Sequence, residues 1–178
     1  MDDVEQLASL IGVPSGRRDA RDWPVIEESL GLRLPTDYKE LVERLPDGTF
    51  RGGLRVNRPG DHRGAPWDFL GFYAHRLDDL RTWRDGGHAA VPHPIFPEPG
   101  GLLPWASGAR LEPICWLTTG DEPDGWPVTV TDAEFGTWRT FPGPAAQFLL
   151  AAVEGRLEDW PAIRAPDGAP AFERSRRP

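Results

Sequence analysis

Between residues 102 and 141 the chain carries four short runs of aromatic, aliphatic and β-branched residues, at 102–106, 113–118, 126–131 and 137–141. Turn residues such as Gly120 and Asp124-Gly125 separate them. A parallel pair needs a crossover of about a dozen residues or more, and each of these gaps is shorter. The runs are therefore expected to pair antiparallel. Every other segment has to be arranged around that sheet.

Helical patterns come first in the chain. Residues 3–11 place Val4, Leu7, Leu10 and Ile11 on one side, with Gly12 at the end. Asp22 is a good N-cap ahead of Trp23-Pro24. Trp23, Ile26 and Leu30 then share a face, and Gly31 stops the helix. Leu32 and Leu34 alternate across a short extended piece that Pro35 ends. Thr36 is the expected N-cap of a third helix, with Asp37 in its first turn, where a negative charge suits the helix dipole. Tyr38, Leu41, Val42 and Leu45 form its apolar stripe. Asp47-Gly48 reads as a turn, and Phe50, Leu54 and Val56 as a strand interrupted at Gly52-Gly53. A loop over 57–66 leads to a helix over 69–84 with Leu70, Tyr73, Leu77, Leu80 and Trp83. Residues 88–101 are a proline-rich loop. Pro144 opens a last helix carrying Phe148, Leu149, Ala152 and Val153, which Gly155 terminates.

This order predicts an α+β fold in which N-terminal helices and a C-terminal helix pack on a mostly antiparallel, twisted sheet. The length of 178 residues fits one domain, expected over 1–157. Residues 158–178, rich in Pro, Ala and Arg, are expected to form a loosely held tail.

The charge excludes some partners. The net charge is −8, and no basic patch of the kind that neutralises phosphates is evident, so nucleic acid is not an expected ligand. No apolar run approaches the ~20 residues that span a bilayer, and the acidic start, Asp2-Asp3, is unlike a signal peptide. With Cys115 the only cysteine, no intrachain disulfide can form, and a cytoplasmic setting is expected. All basic residues except Lys39 are arginine, as in GC-rich bacterial genomes. The acids are unevenly spread. Residues 111–160 hold nine of them against Arg139 and Arg156. Their simplest role is a solubilising surface; the sharper one is a face that attracts a basic partner. The residues expected to build that face are Glu112, Asp121, Glu122, Asp124, Asp132 and Glu134.

No catalytic constellation stands out. Gly-rich phosphate loops and Gly-X-Ser-X-Gly are absent, and Ser9, Ser15, Ser107 and Ser175 sit in ordinary contexts. Cys115 lies in an apolar run and reads as a small buried hydrophobe. His62, His75, His88 and His93 lie among Asp61, Asp68, Asp78, Asp79 and Asp85, yet no His-Glu-X-X-His occurs; surface histidines are expected, with no metal and no cofactor. Trp23, Trp83, Trp116, Trp126 and Trp138 read as core. Trp67 and Trp105 adjoin loops and are candidate interface anchors.

The run Trp23-X-X-Ile26-Glu27-X-X-Leu30-Gly31-X-X-Leu34-Pro35-X-Asp37-Tyr38-Lys39-X-Leu41-Val42 resembles the opening signature of the SUKH superfamily, which includes Smi/Knr-type bacterial immunity proteins. Asp47-Gly48-X-Phe50, Leu54-Arg55-Val56, Pro104-Trp105-Ala106, Cys115-Trp116-Leu117 and Asp124-Gly125-Trp126-Pro127-Val128 extend the likeness over residues 4–157. The resemblance implies a non-enzymatic domain that binds and neutralises a cognate toxin, often a nuclease or deaminase. Other members of the superfamily act as adaptors or regulatory scaffolds. A metal-dependent hydrolase built on the His/Asp set is a third, weaker reading.

Overall fold

The structure, a computed structural model, describes residues 2–14, 16, 19–60 and 69–175. Among the described residues the architecture is α+β: five α-helices, a five-stranded antiparallel sheet and a two-stranded one. The helices are α1 (Asp3–Leu10), α2 (Trp23–Leu30), α3 (Thr36–Arg44), α4 (Phe69–Asp85) and α5 (Ala145–Val153). The strands are β1 (Gly48–Phe50), β2 (Arg55–Val56), β3 (Leu102–Ser107), β4 (Pro113–Leu117), β5 (Val128–Thr131), β6 (Trp138–Phe141) and β7 (Phe172–Arg174). The large sheet runs in the order β2-β3-β4-β5-β6, and every neighbouring pair is antiparallel. The four expected runs thus become consecutive strands, as their short gaps require.

Alternation along the strands gives the sheet two apolar faces. Leu103, Trp105, Ile114, Trp116, Val128 and Val130 join α1, α3 and α5 through Leu7, Tyr38, Leu41, Phe148 and Leu149 in one large cluster. Leu102, Cys115 and Leu117 face the other way and meet Leu77 and Leu80 of α4, together with Phe135. The register shifts between Pro104 and Ala106, so Trp105 sits on a bulge and stacks on Trp116 with centroids 5.3 Å apart.

The residues of the 23–42 signature are structural. Asp22 caps α2 by accepting from Val25 N, and Gly31 ends the helix with φ +70°, a left-handed conformation that suits glycine. Trp23 Nε1 donates to Glu43 Oε1 at 2.7 Å and ties α2 to α3. Glu27 pairs with Lys39 and accepts from Leu34 N, so it closes the turn between the two helices. Leu32 and Leu34 form no strand; that segment is the turn itself.

Helix α3 departs from expectation at its start. Pro35, not Thr36, is its N-cap, and no side chain of the cap accepts a bond. Asp124, 88 residues away, does so instead: its carboxylate accepts from Thr36 N (2.6 Å) and Thr36 Oγ1 (3.0 Å). At the other end the buried Arg58 guanidinium donates to the carbonyls of Val42 (2.8 Å) and Leu45 (2.7 Å). Each end of α3 thus has unpaired backbone groups met from outside the helix, while Tyr38 N in the first turn donates to Asp37 Oδ1 at 2.8 Å.

Two further expectations are corrected. Phe50, Leu54 and Val56 do not share a strand: β1 and β2 belong to different sheets. Residues 158–175 are not loosely held. Ile163 is buried, β7 pairs with β1, and the Phe172 ring lies 5.0 Å from that of Phe50. Gly48 permits that approach, because a Cβ there would collide with the Phe172 ring and the Glu173 carbonyl. Ser175 N donates to Asp47 O at 3.0 Å and fixes the end of the segment. Phe172→Ala is therefore expected to cost about 2 kcal/mol of stability, read as a lower urea midpoint. A free tail would leave the midpoint unchanged.

Candidate functional site

The expected acidic face is divided by the sheet. The connection between β4 and β5 carries Asp121, Glu122 and Asp124 at one end. The connections between β3 and β4 and between β5 and β6 carry Glu112, Asp132 and Glu134 at the opposite end. The four residues of β5 alone keep the two sets roughly 13 Å apart. The six carboxylates do not form one surface.

Several of them are committed to the fold. Glu112 is only 5% exposed; it accepts from Arg110 N at 2.8 Å and Arg110 Nε at 3.2 Å, bracing the turn between β3 and β4. Asp132 accepts from Gly136 N (2.8 Å) and Glu134 N (3.1 Å) and shapes the turn between β5 and β6. Hydrogen bonds from that turn hold its carboxyl below the ordinary range against the opposing effect of burial. Asp124 caps α3. Trp105, expected as an interface anchor, is fully buried and belongs to the core. Trp67 lies outside the described residues, as do Ser15, His62, Asp61 and Asp68.

Glu134 is left exposed at the far end, and Asp121 and Glu122 at this one, where among the described residues only Arg33 reaches them: its guanidinium is 3.6 Å from Glu122 Oε1 and donates to the Asp121 carbonyl. Behind them lie Asp124, Asp37 and Asp3, a grouping that the sequence order hid. Asp37 Oδ2 accepts from Ala146 N at 2.7 Å in the first turn of α5, and Gln147 Nε2 donates to Asp3 Oδ2. Burial raises the Asp37 carboxyl above its ordinary 3.8, and the charges of Asp124 and Asp3 push the same way, while bonds from Ala146 N and Tyr38 N oppose.

The remaining histidines do not converge. His75 sits on α4 near Asp79 (3.7 Å), His88 packs on Trp83, and His93 packs on Trp138, where burial lowers its pKa. Among the described residues no three or more His, Cys, Asp or Glu side chains are grouped as a metal would need. Burial pushes the Cys115 thiol well above its usual range, so it is not a ready nucleophile. Among the described residues, no helix is long and apolar enough to cross a membrane.

A cleft of about 520 Å³ opens at the end opposite Asp121. It lies between the turns that follow β3 and β5 and the segment after α5, and Arg110, Arg139, Trp160 and Arg164 line it. The Arg139 guanidinium lies 5.8 Å from the centre of the Trp160 ring. Sequence reasoning missed these residues because Trp160 and Arg164 fall in the supposed tail. The cluster of arginines after residue 155 was the available signal. No protein-family model, no curated protein and no solved structure matches the chain.

Two outcomes follow from this geometry. Asp124→Ala is expected to cost about 1 kcal/mol through loss of the α3 cap, whereas Asp121→Ala leaves the urea midpoint where it was. Because the folded state raises the Asp37 carboxyl, its stabilising contribution is full below 3.8 and is lost as pH rises through the folded value. Asp37→Asn should therefore gain on the parent protein as pH climbs from about 4 towards 7. Urea midpoints measured across that range check it; a constant gap would contradict an ionisation cost at Asp37.

Proposed function

We infer that this chain is a protein-binding domain of the immunity type, which holds a basic toxin, of nuclease or deaminase kind, against its acidic end and so neutralises it in the bacterial cytoplasm. The observation that carries the reading is the exposed pair Asp121 and Glu122, backed by Asp124, Asp37 and Asp3, with Arg33 the one guanidinium among them in the described residues. Toxins that act on nucleic acid are basic around their substrate site, and a complementary field speeds association and disfavours wrong partners. The resemblance of residues 23–42 to the SUKH opening signature supports the same reading. It does so through the fold those residues build, since they pack, pair or cap within it.

The test is co-expression with the product of the gene adjacent to its own. Rescue from growth arrest is the expected result; arrest that persists despite full expression of both chains would overturn the reading. Within a purified complex, reversing Asp121 and Glu122 to Lys is expected to weaken binding about tenfold or more and to flatten its salt dependence. Asp124 is left intact because it caps α3.

A further inference from the structure

At the far side of the sheet from β2, strand β6 has no neighbour. In an antiparallel ladder, residues alternate between bonding to the neighbouring strand and pointing away from it. Asp132 N donates to Thr137 O at 3.4 Å, which sets the phase: Thr137, Arg139 and Phe141 turn their backbone groups towards β5. Trp138 and Thr140 then present N–H and C=O outward. Among the described residues, no backbone hydrogen bond outside the sheet reaches either of them. The side chains of Arg139 and Thr140 are exposed along this edge. Open edges are usually blunted, because unpaired backbone groups recruit other strands.

The side chains beside the edge include two arginines that no carboxylate meets. Arg139 reaches from β6 over Trp160 into the cleft that Arg164 also lines. Neither guanidinium has a carboxylate partner among the described residues. The lining acids Glu112 and Asp132 are already satisfied, by Arg110 and by backbone N–H groups. With Asp159 exposed at the rim, the three arginines and three carboxylates of the lining balance in formal charge, and Arg139 and Arg164 are the cations left with free donors.

We propose that the outer edge of β6, together with the arginine-lined cleft beside it, docks an extended acidic peptide segment of a partner protein, which adds to the sheet as a further strand. Main-chain bonds to Trp138 and Thr140 supply the pairing, and side chains on alternate residues of the segment set the selectivity. On the side that faces Arg139 and Arg164 those side chains are carboxylates. A second copy of this chain fits less well. Two β6 strands paired across a two-fold axis would bring Arg139 of each copy together with no counter-charge, and like charges across a strand pair are destabilising. This site is separate from the acidic end and takes a ligand of opposite charge.

The test uses the full chain and two capped hexapeptides, one alternating Glu with Val and one alternating Lys with Val. Fluorescence anisotropy is expected to show binding of the Glu peptide that weakens with added salt, and none of the Lys peptide. Amide hydrogen exchange at Trp138 and Thr140 should slow on binding. The double variant Arg139→Glu, Arg164→Glu should lose about tenfold or more in affinity for the Glu peptide, while Asp121→Lys with Glu122→Lys leaves it intact or improves it. Circular dichroism of the exposed-site variants checks that they remain folded. Equal binding of the two peptides would overturn the proposal. So would binding that leaves the Trp138 and Thr140 amides unchanged, or a dimer by sedimentation in which those amides are protected without peptide.

Discussion

Tyr38 is the point at which the layers of this protein are held to one another. Its ring is fully buried and meets Trp116 edge-on at 5.0 Å, Trp105 at 6.2 Å, Trp23 at 6.1 Å and Phe69 at 5.6 Å. Those four rings come from β4, β3, α2 and α4, so one side chain on α3 touches most of the architecture. Its hydroxyl donates to the Asn57 carbonyl at 2.6 Å, which satisfies a polar tip that burial would otherwise leave costly. Perpendicular ring pairs add favourable quadrupole contacts to plain area burial. Phenylalanine could fill the space but would strand the Asn57 carbonyl, and no smaller side chain could reach all four rings.

The acidic residues show how misleading a count of charges is until the backbone is placed. Glu112, Asp124, Asp132 and Asp37 are adjacent to backbone N–H groups that need acceptors, and each supplies one. A carboxylate in that position is doing what a capping serine or asparagine does elsewhere, with a stronger bond because it is charged. What is left of the expected acidic set is a small remainder, Asp121 and Glu122 at one end of the sheet and Glu134 at the other. At the opposite end the same sorting leaves unpaired arginines. The net charge of the chain describes neither end.

The elements with local causes were legible in the sequence. Helix α4 and strands β3 to β6 follow their residue patterns within a position or two, and the caps at Asp22 and Gly31 are where short-range chemistry puts them. The elements set by distant partners were not. Thr36 is a reasonable N-cap by type, yet Asp124 arrives from 88 residues away and makes the bonds. Phe50 and Val56 look like one strand until Phe172 returns to pair with the first half. Trp105 resembled a surface anchor because it is close to a turn in sequence, and alternation from Leu103 turns it onto the core face instead. For the candidate site, the sequence singled out the turn at 121–124 but could not show that the sheet separates it from 112 and 132–134. Nor could it show that Asp3 and Asp37 lie behind it.

The remote caps of α3 bear on how this molecule comes apart. A helix whose end groups are met by its own neighbours can linger after the surrounding structure has loosened. Here the Thr36 donors at the start of α3 depend on the connection between β4 and β5, and carbonyls at its close depend on Arg58, beyond β2. A nine-residue helix is too short to persist in water by itself. It follows that α3 has no independent melting step: it is lost when the sheet opens, and it forms only once chain segments far apart in sequence have met. Such dependence on non-local contact slows folding, and it joins helix and sheet into one cooperative unit.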